Sequence, residues 1–153
     1  MGLITLNDIA TLFGLIFGIS GFALGILNYL RDTPKIKLEL RWDQAVTDNP
    51  VYDKCKKWGI LLVVNVGRRP AYISHAALKL PKNLEWEYLV IYDAIKGERL
   101  AEGDPPKMYV INQDQMNEYK KHWKKIRAQV NDSTGKTWYS KKLKKYPKPS
   151  WAF

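Results

Sequence analysis

The sequence predicts one N-terminal transmembrane α-helix followed by a mainly-β domain, an antiparallel immunoglobulin-like sandwich with one short helix. Three observations carry that expectation. Residues 9–30, IATLFGLIFGISGFALGILNYL, run for 22 positions without a charge. After Pro34 the pattern switches to alternating polar and apolar residues, the period of a half-buried strand. Short β-branched and aromatic runs then recur between turn sequences, at the spacing of an antiparallel sandwich.

As a helix the uncharged run reaches about 33 Å, enough to cross a hydrocarbon core of about 30 Å. Thr5-Leu6-Asn7-Asp8 has the Thr-x-x-Asp form of a capping box, with Asp8 in the first turn at the positive end of the helix dipole, so the helix is expected to start at Leu6 or Asn7. Tyr29 and Arg31 suit the headgroup layer, and Thr33-Pro34 stops the helix because residues before proline leave the helical region. Within the run, Gly14, Gly18, Gly21 and Gly25 are spaced 4-3-4, with Ala10 four residues before and Asn28 three after. At 100° per residue these six share a stripe about 80° wide. In lipid a small-residue face admits a second backbone, and Ser20 and Asn28 are placed to add hydrogen bonds. The expected helix-packing residues are Ala10, Gly14, Gly18, Gly21, Gly25 and Asn28; the expected partners are the lipid bilayer and another copy or a different membrane protein.

Only Asp8 precedes the span, whereas Arg31, Lys35, Lys37 and Arg41 follow it closely. The positive-inside rule then places the N-terminus outside and the domain in the cytoplasm, on the inner (cytoplasmic) membrane. A cleaved signal peptide is the rival reading. Against it, no Lys or Arg precedes the run, and the run exceeds the usual apolar core of about 7–15 residues. The lone Cys55 cannot form an intramolecular disulfide, which is compatible with a reducing compartment.

Beyond the span, Ile36, Leu38, Leu40 and Trp42 alternate with charges as a half-buried strand. Residues 58–66, WGILLVVNV, are apolar on both faces and read as a central strand. Gly67-Arg68-Arg69-Pro70 is a turn, and residues 71–80 resume extended structure with Ile73 and Leu78 as core candidates. Further strands are expected within 84–94, 99–102 and 108–111. Met116, Tyr119, Trp123 and Ile126 recur at helical spacing, which predicts a short helix of one to three turns over 113–125. Residues 126–130 and 137–140 flank the polar Asn131-Asp132-Ser133-Thr134-Gly135-Lys136 turn as a hairpin. The expected organisation is a tail and transmembrane helix over 1–31, a linker at 32–34, a β-sandwich over 35–143 and a basic, aromatic tail over 144–153.

The order of one N-terminal span, a strand ending in Asn65-x-Gly67-x-Arg69-Pro70, and a late Asp132-Ser133-Thr134-Gly135-Lys136 hairpin resembles a loose group of uncharacterised bacterial single-pass membrane proteins with a C-terminal immunoglobulin-like domain. The resemblance implies the sandwich fold and rests on turn motifs, not on a catalytic signature. The Cys, Trp, Cys hallmark of antibody-type domains is absent.

Cys55, His75 and His122 lie in three separate segments, so neither a zinc site nor a Cys-His nucleophile pair is signalled, and no cofactor is expected. No phosphate loop is present. The expectation is a protein that is not an enzyme. What stands out is charge. All 25 Lys and Arg follow residue 30 against 14 acids, a surplus of 11, and ten lysines in residues 120–148 are interleaved with Trp and Tyr. A solvated surface, anionic lipid headgroups and single-stranded nucleic acid are the three readings, nucleic acid third because no nucleic-acid fold motif accompanies the charge. For lipid, the expected contacts are Lys141, Lys142, Lys144, Lys145, Lys148 and Trp151. The function expected is a membrane-anchored subunit or scaffold; the alternatives are a membrane-perturbing or pore-forming effector and a nucleic-acid tether.

Overall fold

A computed structural model of the chain describes residues 6–47, 51–94 and 97–153. The chain divides into two compact units, residues 1–33 and 34–153. The first is helix α1, Leu6–Arg31, none of whose residues is buried. It is long and apolar enough to cross a membrane. Thr5, and with it the cap expected there, lies outside the described residues. The helix closes with Asp32 N donating to the Asn28 carbonyl (2.8 Å) and Thr33 Oγ1 to that of Leu30 (3.1 Å), ahead of Pro34.

Among the described residues the second unit contains eight antiparallel strands: β1 (Ile36–Gln44), β2 (Trp58–Asn65), β3 (Ala71–Lys79), β4 (Tyr88–Val90), β5 (Glu98–Leu100), β6 (Lys107–Asn112), β7 (Arg127–Asp132) and β8 (Thr137–Tyr139). One sheet has the order β1-β2-β6. The other has β4-β3-β7-β8, with β5 following β4 along the same edge of β3. The chain thus changes sheets between β2 and β3, between β5 and β6, and between β6 and β7. Alternation decides which side chains face the other sheet. Leu38, Leu40, Leu61 and Val63 from the first sheet join Ile73, Leu78, Ala128 and Val130 from the second in one buried cluster. The two-sheet antiparallel architecture follows the expectation. β2 is central, although its outer face is only half-buried.

Departures from the expected elements have local causes. Within 84–94 only three residues pair as β4; Ile91 N then donates to the Ala76 carbonyl and the chain turns into a 3₁₀ turn at Tyr92–Ala94. Gln113–Lys125 is a 3₁₀ run, and Gln113, Met116 and Tyr119 are buried at its threefold period before Trp123 shifts the phase. The Asn65 motif is structural: its Nδ2 donates to the carbonyls of Arg69 (2.8 Å) and Leu100 (3.0 Å) while Oδ1 accepts from Gly67 N (2.9 Å), tying a turn to β5. The Asp132 motif works likewise. Oδ1 accepts from Thr134 N (2.9 Å), Thr134 Oγ1 (2.6 Å) and Lys136 N (2.9 Å), and Oδ2 accepts from Trp138 Nε1 (3.3 Å). Gly135 takes the positive φ of 82° that this turn requires.

The last ten residues do not form a separate tail. Pro149, Trp151 and Ala152 are buried, as is Leu143 just before them. Asp43, held at φ 59° where β1 slips register, accepts from Ser150 N (3.0 and 3.1 Å), Ser150 Oγ and Gln113 Nε2 (3.1 Å). Burial alone would raise its pKa. The hydrogen bonds from Ser150 and Gln113, with the charge of Lys57, instead hold it below the usual carboxylate value.

Candidate functional site

Three surfaces stand out, and the residues singled out by sequence fall on two of them. On α1, Ala10, Gly14, Gly18, Gly21, Gly25 and Asn28 are all exposed. A Cβ built on any of the four glycines meets nothing within 4 Å. The stripe is therefore open along the helix, and in lipid its flatness matters because packing, not water release, drives association.

The lysines of the C-terminal third form the second surface. Lys141, Lys142, Lys144, Lys145 and Lys148 are exposed. Several cations lie over rings: Lys148 Nζ is 4.2 Å from the centroid of exposed Phe153, Lys136 Nζ 4.2 Å from Trp138, and the Arg127 guanidinium 4.9 Å from Tyr139. Trp151 does not belong to this surface. It is 7% exposed and packs edge-on against Trp42 with ring centroids 5.2 Å apart. The interfacial role expected for it is corrected accordingly: a ring enclosed by the domain has no face to offer a headgroup layer. Its placement depends on a partner more than a hundred residues away, which local charge and proline content hide.

The third surface was not anticipated. Between the outer edges of β4 and β6 lies an open groove of about 580 Å³. Leu78, Ile91, Ile111 and Met116 form its buried floor, and Trp58, Trp86, Tyr88 and Tyr92 stand along its walls. Trp86 and Tyr92 are 57% and 82% exposed. Part of its wall is the contiguous Glu85-Trp86-Glu87-Tyr88, in which aromatics alternate with acids just ahead of and into β4. Asp93 lines the groove. Glu118 and Glu85 stand near Tyr119, another lining residue, and its hydroxyl pKa is raised by burial and then by these two carboxylates. Three ion pairs lie on this part of the domain: Lys56 with Asp114 (3.5 Å), Lys79 with Glu87 (3.7 Å) and Lys107 with Glu98 (3.3 Å). Among the described residues, Glu85, Asp93 and Glu118 have no ion-pair partner.

No family model, no curated protein and no solved structure matches this chain. The resemblance noted above therefore rests on its turn motifs alone. Cys55 is exposed, with its N–H donated to Asp53 Oδ1 (2.9 Å), while the His75 ring meets Ser74 Oγ (2.9 Å) on β3. Among the described residues no three His, Cys, Asp or Glu side chains come together as a metal-binding group. The Tyr109 hydroxyl is buried without a hydrogen-bond partner; burial, then the Glu98 carboxylate close by but outside hydrogen-bond geometry, pushes its pKa up to about 12. It stays protonated at physiological pH.

Proposed function

We propose that the chain is a non-enzymatic, single-pass anchor or scaffold subunit of an inner-membrane complex, N-terminus outside, with an immunoglobulin-like domain in the cytoplasm. The observation that carries this reading is α1 itself: 26 residues, none buried, with four glycines in phase on one open face. A folded domain leaves such a surface uncovered only where lipid or another helix covers it. The strand order supports the immunoglobulin-like assignment. Taking β1, β2, β3, β4, β6, β7 and β8 as A, B, C, C′, E, F and G, the sheets read A-B-E and C′-C-F-G. In this reading the exposed lysines face anionic headgroups.

The test is an in-membrane association assay. Gly18→Leu or Gly21→Leu is expected to weaken helix association, because a leucine there holds two backbones apart and loses dispersion contacts that lipid does not replace. Leu15→Ala, off the stripe, is expected to change little. Equal responses from all three variants would remove the stripe as the contact face. The glycine face also favours a second reading, a membrane-perturbing effector whose helices oligomerise into a pore. Expression of such an effector dissipates the membrane potential, whereas an anchor leaves it intact. A nucleic-acid tether is the third reading, and it requires salt-dependent oligonucleotide binding.

A further inference from the structure

The groove lies between two sheet edges that have no strand beside them. In an antiparallel pair, opposed residues alternate between exchanging both backbone hydrogen bonds and exchanging none. Val66 N donates to the Lys35 carbonyl (2.8 Å), so at the same register Val64, Leu62 and Ile60 bond to β1. Gly59, Leu61 and Val63 then bond to β6, through Ile111, Tyr109 and Lys107. The backbone groups of Met108 and Val110 consequently point away from β2. The same reasoning applies to β4, where Leu80 N donates to the Glu87 carbonyl (2.8 Å) and Ile91 N to that of Ala76 (2.9 Å), which leaves Tyr88 and Val90 pointing away from β3. Among the described residues no strand pairs with either outer edge. At the far edge of the sheet that holds β6, Leu143, Tyr146 and Pro147 line a cavity together with residues 39–44 of β1.

Unpaired edge backbone beside an apolar floor is the arrangement that strand addition uses: main-chain hydrogen bonds supply affinity, and pockets for alternate side chains supply specificity. The rim supplies the sign of the partner. In a domain with a surplus of 11 positive charges, this flank holds three carboxylates without ion pairs, Glu85, Asp93 and Glu118, available to Lys or Arg side chains of an added strand. A second copy is disfavoured on the same ground, since two-fold edge pairing sets the acidic rim against itself, and the basic C-terminal third is already folded into 3₁₀ turns and a hairpin.

We propose that the groove between β4 and β6 binds an extended segment of a partner protein, apolar at alternate positions and bearing Lys or Arg, which adds as a strand to the outer edge of β6.

The experiment uses the full chain in lipid nanodiscs and a phage-displayed random dodecapeptide library. Selection is expected to enrich peptides with apolar residues at every second position and Lys or Arg between them. A synthesised winner is expected to slow amide exchange at Met108 and Val110 in hydrogen-exchange measurements. Trp86→Ala and Asp93→Lys, both at exposed positions, are each expected to weaken it by about tenfold. Val110→Pro removes the outward N–H without touching a bond to β2. If that variant fails to fold, the two surface variants still decide. Enrichment no better than on nanodiscs lacking the protein, enriched sequences that are acidic or without alternation, or bound peptide that leaves the β6 amides unprotected would each overturn the proposal, as would β6 amides protected by self-association alone.

Discussion

Replacing Trp151 tests whether the C-terminal lysines hang from a free tail or from a folded edge. The ring is enclosed and meets Trp42 edge-on. Truncating a buried tryptophan to alanine costs about 3–5 kcal/mol, and an edge-to-face pair adds about 0.5–1.5 kcal/mol. One effect opposes these. The Trp151 Nε1 is buried without a hydrogen-bond partner, and removing an orphan donor returns about 1–3 kcal/mol. The net expectation for Trp151→Ala is a loss of about 2–4 kcal/mol, which at about 4 °C per kcal/mol for a domain of this size is roughly 8–16 °C in Tm. Trp151→Phe keeps most of the packed surface and deletes the orphan N–H, so it is expected to stay within about 1.5 kcal/mol of the wild type. Calorimetry of the full chain in micelles measures both, and a lysine-specific protease reports whether Lys141 to Lys148 become cleavable in Trp151→Ala. Unchanged Tm and unchanged cleavage in Trp151→Ala would refute the packing argument, and Trp151→Phe binding vesicles more weakly than wild type would return the ring to the membrane surface.

Gly59→Ala is expected to cost about 1–3 kcal/mol in thermal unfolding, because its Cβ would overlap the Trp42 ring, with Cε3 at 2.6 Å, and that ring is backed by Trp151. Asp132→Asn keeps one acceptor but sets an amide N–H against Trp138 Nε1, with an expected loss of about 1–3 kcal/mol. Burial would raise the Asp132 pKa, yet its four hydrogen bonds hold it below the usual value. A lowered folded pKa contributes stability that is complete above the unfolded value of about 3.9 and is lost as pH falls through the folded value. The difference in Tm between wild type and Asp132→Asn is therefore expected to be constant near neutrality and to shrink in the acid range. Changing Lys141, Lys142, Lys144, Lys145 and Lys148 to Gln is expected to weaken binding to anionic vesicles by at most several kcal/mol, from about 1 kcal/mol per charge, and to leave neutral vesicles unaffected.

What could be read from the sequence was what local physics decides. The alternation of Ile36, Leu38 and Leu40 produced β1, the β-branched run produced central β2, and the Asn65 and Asp132 motifs acted as turn chemistry. Features that depend on distant residues stayed hidden. Met116 and Tyr119 fit a helical period of either kind, and the 3₁₀ run shows only in the burial of Gln113, Met116 and Tyr119 at every third position. The groove is assembled from β2, β3, the segment around β4, β6 and the 3₁₀ run after it, so the alternation at Glu85-Trp86-Glu87-Tyr88 shows one wall and not the cavity. Its aromatics are also sparse enough to pass for surface.

Both ends of the lysine-rich segment are fixed, and this changes what its charge can do. Leu143 is buried at one end; at the other, Asp43 holds Ser150 while Trp42 holds Trp151. A free polylysine tail loses chain entropy when it settles on an anionic surface, which offsets part of each charge's attraction. A segment pinned at both ends has already met that cost on folding, so its lysines act as a preorganised patch. The five-lysine variant and Trp151→Ala should then weaken anionic-vesicle binding by different routes, the first by removing charge from an intact patch and the second by releasing an intact charge into a flexible chain. High salt separates them, because screening erases the difference between wild type and the lysine variant but leaves the unfolding deficit of Trp151→Ala in place.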